Sequence, residues 1–224
     1  MSPPNHAPAA EAKSLVEEVA HARLPSAYTP EPLTVRAFRS RVDGVEHLAL
    51  VKGRPGLGAL VRVHSECLTG DVLGSLRCDC GEQLRAATAL IGASEAGVLL
   101  YVRGHEGRGI GLANKIAAYG HQDHGLDTLE ANAALGFPSD KRDYAVAAYM
   151  LEAMGVDDIV LLTNNPLKAA ALRAHGVTVR RETPLALDAN PHNARYLATK
   201  RDRMGHRLPE SIGPDPEPAP QEVA

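Results

Sequence analysis

The stretch 158–184, DIVLLTNNPLKAAALRAHGVTVRRETP, reads as strand, helix, strand, and it decides the fold class. DIVLLT (158–163) is a short apolar run of buried-strand length. NPLKAAALRAHG then has Asn165 and Pro166 where a helix starts and Gly176 where it ends. Those residues suit the two ends because an Asn side chain and a proline serve the first turn, and glycine leaves the last one. VTVRRETP returns to an extended pattern. Strand and helix in alternation predict an α/β layer structure.

Working outward, the same texture begins at residue 81. GEQLRAATALIGASEAG (81–97) has helical periodicity, VLLYV (98–102) is a short apolar run, and GLANKIAAYGHQ (111–122) is helical again. SDKRDYAVAAYMLEAMG (139–155) and NARYLATKRDRMG (193–205) predict two more helices. Further upstream, LTVRAFR (33–39), EHLALVKG (46–53) and ALVRVHS (59–65) are strand-like runs separated by Gly and Asp, as in a β-meander. EAKSLVEEVAHARL (11–24) reads as a short helix. The expected fold is α/β with α+β character: an N-terminal antiparallel β-meander packed on a mixed α/β layer with several helices. The expected organisation is a loose segment over 1–20, one domain over 21–208, and a disordered Pro-rich tail over 209–224.

Composition narrows the function classes. The 224 residues are 44% hydrophobic and 23% charged, with a formal net charge of −3, which argues against a generic nucleic-acid or membrane-surface binder. Trp is absent and the only phenylalanines are Phe38 and Phe137, so the core must rest on aliphatic residues. No apolar run approaches the ~20 residues that cross a bilayer. The N-terminus lacks a secretory layout. An odd cysteine count without such a signal points to a reducing compartment, and the cytoplasm is the expected location.

All three cysteines fall in SECLTGDVLGSLRCDCGEQL (65–84). Cys67, Cys78 and Cys80 offer three thiolates, one fewer than a closed tetrahedral zinc site needs. His64 is the nearest candidate for a fourth ligand, which would make a structural zinc knuckle. Without it, the open position takes a water, whose pKa zinc lowers towards ~7. The cysteines could also be small buried hydrophobes. YVRGHEGRGIGL (101–112) has glycines that let backbone approach an anion, but its spacing matches no phosphate-loop motif. In PSDKRDY (138–144), Ser139 or Asp140 reads as a helix N-cap. Arg62, Arg77, Arg108, Lys115, Arg142 and Lys168 are scattered, and nothing in their spacing brings them together. HQDHG (121–125) reads as surface polar residues.

Taken in order, these segments resemble GTP cyclohydrolase II, the enzyme that opens the purine ring of GTP at the start of riboflavin biosynthesis. The strings that carry the resemblance are RVHSECLTGDVLGSLRCDCGEQL (62–84), EGRGIGLANKIAAY (106–119), DTLEANAALGF (127–137), DKRDY (140–144), LLTNNPLK (161–168) and ARYLATKRDRMGH (194–206). The resemblance implies a catalytic zinc on Cys67, Cys78 and Cys80. It implies a GTP site lined by Arg62, Val63, His64, Ser65, Glu66, Gln83, Glu106, Gly107, Arg108, Thr128, Thr163 and Lys168. It gives Asp140 as proton acceptor, Arg142 as nucleophile and Tyr119 as an assistant in ring opening, with Mg²⁺ accompanying the triphosphate.

It also implies a homodimer, with neither nucleic acid nor membrane as partner. Many relatives have glutamine where His105 stands here. Tyr119 argues against a paralogue that stops at a formylated intermediate, and a non-catalytic zinc or nucleotide-binding module is the remaining alternative. Too few residues precede ARLPSAY (22–28) for the fused domain some relatives carry, so a single activity is expected.

Overall fold

The computed structural model describes residues 15–185, 187–210 and 212. Seven strands form one mixed sheet: β1 (Val16–Leu24), β2 (Leu33–Ser40), β3 (Glu46–Lys52), β4 (Ala59–Ser65), β5 (Gly97–Val102), β6 (Asp158–Leu162) and β7 (Thr178–Thr183). Their order is β1-β2-β3-β5-β4-β6-β7. Seven helices accompany them: α1 (Leu68–Asp71), α2 (Cys80–Ala93), α3 (Leu112–Asp123), α4 (Thr128–Ala134), α5 (Ala145–Ala153), α6 (Pro166–Ala174) and α7 (Ala194–Asp202). The α/β expectation holds, with an antiparallel first half and a parallel second half.

Three local expectations change. The helix expected over 11–24 is strand β1 in its described part, paired antiparallel with β2 from Val16 against Ser40 to Leu24 against Leu33. Only Val16 is buried, so β1 is an edge held by its ladder and by cross-strand ion pairs, Glu18 with Arg36 and Glu17 with Arg41. Residues 1–14 of the expected loose segment lie outside the described residues, as does most of the tail. β4 does not extend the meander. β5 inserts between β3 and β4, antiparallel to the first and parallel to the second. The third change concerns the helix expected from Ser139. It begins at Ala145, and Asp140 instead accepts a 3.0 Å bond from the Arg142 amide in a local turn. Asx side chains suit such turns as well as N-caps.

Helix α6 follows its sequence signals. Asn165 accepts from the Leu167 amide at 3.0 Å, Pro166 opens the helix, and Gly176 leaves it at φ +86°. The core lies on one face of the sheet, where Val61, Val63, Val98, Leu100, Ile159 and Leu161 meet Ala147, Met150 and Leu151 of α5 and Leu172 of α6. Leu99 points the other way, onto Ala87 and Ile91 of α2. That alternation along β5 is the period-two pattern of a strand covered on both faces. The parallel strands β4, β5 and β6 end side by side, at Ser65, Val102 and Leu162. Loops leaving such C-terminal ends are where α/β sheets hold ligands. No helix is long and apolar enough to cross a membrane among the described residues.

Candidate active site

The loop after β4 carries the thiols. Cys67 is the N-cap of α1, and Cys80 is the first residue of α2. The three Sγ atoms lie within 4.8 Å of one another, with Cys67 and Cys78 at 3.7 Å. Hydrogen bonds from Cys78 and Cys80 hold Cys67 far below the ordinary thiol range, as a thiolate, while the bond to Cys67, with burial, pushes Cys78 up to about 12. His64 does not complete the set. Its Nε2 faces both Asp71 oxygens, at 3.0 and 3.1 Å, while Asp71 also accepts from the Cys67 amide (2.9 Å) and the Tyr101 hydroxyl (2.9 Å). No other His, Cys, Asp or Glu ligand atom joins the three sulfurs among the described residues. A soft three-sulfur donor set of this span fits zinc.

Behind Cys67 lies a buried ammonium. Lys115 Nζ, from α3, donates to Glu106 Oε1 (2.6 Å), Thr69 Oγ1 (2.8 Å) and Cys67 Sγ (3.1 Å). Burial pulls its pKa down, but Glu106 and the Cys67 thiolate outweigh that and leave it raised, so it stays charged. Glu106 reaches back to the Leu68 amide at 2.7 Å, tying the loops after β4 and β5 together. Tyr119, also on α3, sits 3.2 Å from Thr69 Oγ1 with the Arg77 guanidinium 4.9 Å from its ring centre. Burial raises its pKa, which keeps the phenol protonated.

The glycine-rich loop after β5 is forced by backbone geometry. Gly107 has φ +59°, and a Cβ there would fall 2.8 Å from Ile110 Cγ1 and 3.0 Å from Lys115 Cβ. Arg108 follows at φ +65°, a left-handed conformation uncommon for a side chain of its size and of the kind found at working sites.

One cleft gathers these parts. Arg62, Arg77, Arg108, Lys115, Arg142 and Lys168, the cations scattered along the sequence, all line it together with the three cysteines. So do His64, Ser65, Glu66, Gln83, Glu106, Gly107, Tyr119, Thr128 and Thr163. Two expected residues stand back. The Val63 side chain is core, and only its carbonyl takes part, accepting from Lys168 Nζ at 2.8 Å. Asp140 lies behind Arg142.

The family model described as GTP cyclohydrolase II matches residues 17–184. The chain belongs to the GTP cyclohydrolase II family. Among its relatives is the riboflavin biosynthesis protein RibBA of Nocardia farcinica (strain IFM 10152), 54% identical over 195 residues that cover 86% of this chain and 47% of the relative. RibBA of Salinispora arenicola (strain CNS-205) is 56% identical over 197 residues, covering 86% and 46%. The bifunctional riboflavin biosynthesis protein RIBA 1, chloroplastic, of Arabidopsis thaliana is 50% identical over 194 residues, covering 86% and 35%. The chain spans about half the length of the bacterial relatives it matches and about a third of the plant one.

In this GTP cyclohydrolase II domain, Arg142 grips Asp140 by two prongs, Nε to Oδ1 at 2.9 Å and Nη2 to Oδ2 at 2.5 Å. Burial lowers the guanidinium pKa, but Asp140 overcompensates and raises it. Lys168 has the opposite balance. Burial and the nearby Arg62, Arg142 and Lys200 push its pKa well down. Such an excess of buried positive charge suits an anionic ligand. His105 bridges the two sides of this part of the site, with Nδ1 3.0 Å from Ser65 Oγ and Nε2 2.9 Å from the Asp143 carbonyl.

The sequence singled out none of Asp79, Tyr196, Lys200 and His206, which also line the cleft. Tyr196 and Lys200 are four residues apart on α7 and so share a face, yet periodicity alone does not say what a face looks onto.

Proposed function

We propose that the protein opens the imidazole ring of GTP by hydrolysis. It would release formate and pyrophosphate and give 2,5-diamino-6-(5-phosphoribosylamino)pyrimidin-4-one, the first step of riboflavin biosynthesis. The observation that carries this reading is the meeting, in one cleft, of a three-thiol cluster and a group of buried cations. A nucleoside triphosphate needs both ends of such a site. Cys67, Cys78 and Cys80 would hold zinc, which when bound supplies Lewis-acid activation of water at neutral pH.

The chain's own residues do the rest. Arg108, Arg142 and Lys168 take the triphosphate, which brings Mg²⁺ with it, and stabilise charge on the departing pyrophosphate. Gln83 and Glu106 satisfy polar atoms of the base, so that bases lacking those groups leave buried partners unpaired. Tyr119, kept protonated beside the thiols, can give a proton to a ring nitrogen as the ring opens. Arg142 acts as a charge stabiliser. A guanidinium whose pKa is raised further by Asp140 is a poor nucleophile, so water attacks the α-phosphorus.

The experiment is a balance of GTP consumed against formate and pyrophosphate released, with zinc measured on the same protein. Equal amounts of all three species and about one zinc per chain are expected. GTP loss without formate would indicate a formylated product instead, and no GTP loss would leave a non-catalytic nucleotide-binding module.

A further inference from the structure

Residues 187–210 lie beyond the span matched by the family model, yet they form one wall of the cleft. Helix α7 is fastened there at several points. Leu197 and Asn193 are buried, Arg203 pairs with Asp127, and past the helix the Arg207 amide donates 2.8 Å to the Asn164 carbonyl. The central fastening is ionic. Lys200 Nζ lies 3.0 and 3.3 Å from the two Asp79 oxygens, a pair spanning 121 residues of sequence, with both side chains buried.

Asp79 does not end the chain of contacts. Its Oδ2 accepts from Gln83 Nε2, and Gln83 Oε1 accepts from Arg62 Nη2 at 2.5 Å, while Arg62 Nη1 donates 3.0 Å to the Leu162 carbonyl. A carboxylate only accepts and a guanidinium only donates, so the Gln83 amide can face them in one orientation alone. Lys200 compensates the Asp79 charge from the other side, which leaves Arg62 free to meet Gln83 rather than Asp79.

We propose that Lys200 is a positioning residue for nucleotide recognition: through Asp79 it fixes the Gln83 amide, and with it Arg62, in the geometry that meets the ligand. This rests on the reading of the cleft as a GTP site. Without the ammonium, Asp79 is an uncompensated buried carboxylate, and the cation across Gln83 is Arg62. A guanidinium that turns to Asp79 gives up Gln83, and both cleft-lining groups lose their places.

The test is steady-state GTP kinetics with zinc content, on the full chain, for wild type, Lys200→Met, Lys200→Arg and Lys200→Met/Asp79→Asn. Lys200→Met is expected to raise KM about tenfold or more, the worth of one misplaced polar contact, with kcat within about threefold and zinc retained. Lys200→Arg keeps a cation on Asp79 and recovers most of the KM loss. The double variant removes the stray charge while its Asn still accepts from Gln83, and binds GTP more tightly than Lys200→Met. A purely structural lysine would show neither the split between KM and kcat nor the rescue.

An unchanged KM in Lys200→Met, a fall confined to kcat, or no rescue by either partner variant overturns the proposal. Should Lys200→Met be recovered unfolded, Lys200→Gln replaces it with the same expected rise in KM. Wild-type protein that leaves GTP intact refutes the functional reading and takes this inference with it, an outcome distinct from wild-type turnover with Lys200→Met indistinguishable from it.

Discussion

His105→Gln should make the protein more resistant to acid. His105 is buried, and its environment sets its tautomer: the Asp143 carbonyl can only accept, so Nε2 carries the proton and Nδ1 accepts from Ser65. Burial, then the Arg142 charge, lowers its pKa from 6.5 to about 4. The folded-state pKa lies below the unfolded one, so as pH falls the unfolded chain takes the proton first. The stability this neutral ring contributes is therefore complete above 6.5 and is lost as pH falls towards 4.

The whole shift is worth about 3 kcal/mol, and about 2 kcal/mol of it is spent between pH 7 and pH 5. Glutamine has the same polarity, an amide N–H for Asp143 and an oxygen for Ser65, but does not titrate. Urea denaturation at pH 7 and pH 5 checks this, because every other titrating group is common to both proteins. Wild type should lose about 2 kcal/mol more than His105→Gln over that interval. Parallel losses would refute the reasoning, since they would mean His105 takes up its proton within the folded protein.

Other predictions follow from single contacts. Lys115→Met leaves Glu106 buried without its ammonium and should cost about 3–5 kcal/mol, read by denaturant titration; a loss under ~1 kcal/mol would show that Glu106 finds water or another donor. Gly107→Ala forces Cβ against Ile110 and Lys115 at positive φ, and should destabilise by about 2 kcal/mol or more in the same assay. Cys78→Ser should abolish zinc retention after dialysis together with formate release; full turnover would exclude a metal role for the thiols. Arg142→Lys cannot reproduce the two-pronged grip on Asp140, so kcat should fall about a hundredfold at unchanged melting temperature.

What the sequence made legible was local. The caps of α6, the runs of β2, β3 and β5, and the change of texture at residue 81 need only neighbours along the chain, and the structure follows them. β1 has a helical local pattern, because its strand character comes from pairing with β2, beyond any local window. The start of α5 is not legible locally, because an Asp that caps a helix and an Asp that closes a turn look alike in sequence. The six scattered cations gave no sign of converging, since what gathers them is the insertion of β5 beside β4, a matter of strand order. The family resemblance named most of the cleft, but it carried no reason for Lys115 or Lys200.

The uneven cysteine spacing has a structural cause. Ten residues separate Cys67 from Cys78, and they hold one short helix, α1, with its return. For that return to bring Cys78 and Cys80 back to Cys67, α1 must lie almost against the first turn of α2. Two glycines allow it. A Cβ on Gly81 would stand 2.2 Å from the Gly70 carbonyl oxygen, and one on Gly70 would stand 2.9 Å from Cys78 Sγ and 3.3 Å from Cys67 Sγ. The close approach of backbone to backbone therefore sets the sulfur triangle. Cys67 stands at the N-cap position of α1 and Cys80 opens α2, so both helix starts face the triangle. Gly70→Ala should then disturb the metal site more than the fold: zinc affinity, measured by competition with a chelator, should fall by at least ~10-fold while the denaturation midpoint moves little. If zinc binds Gly70→Ala as tightly as wild type, the glycine contact is not what sets the triangle.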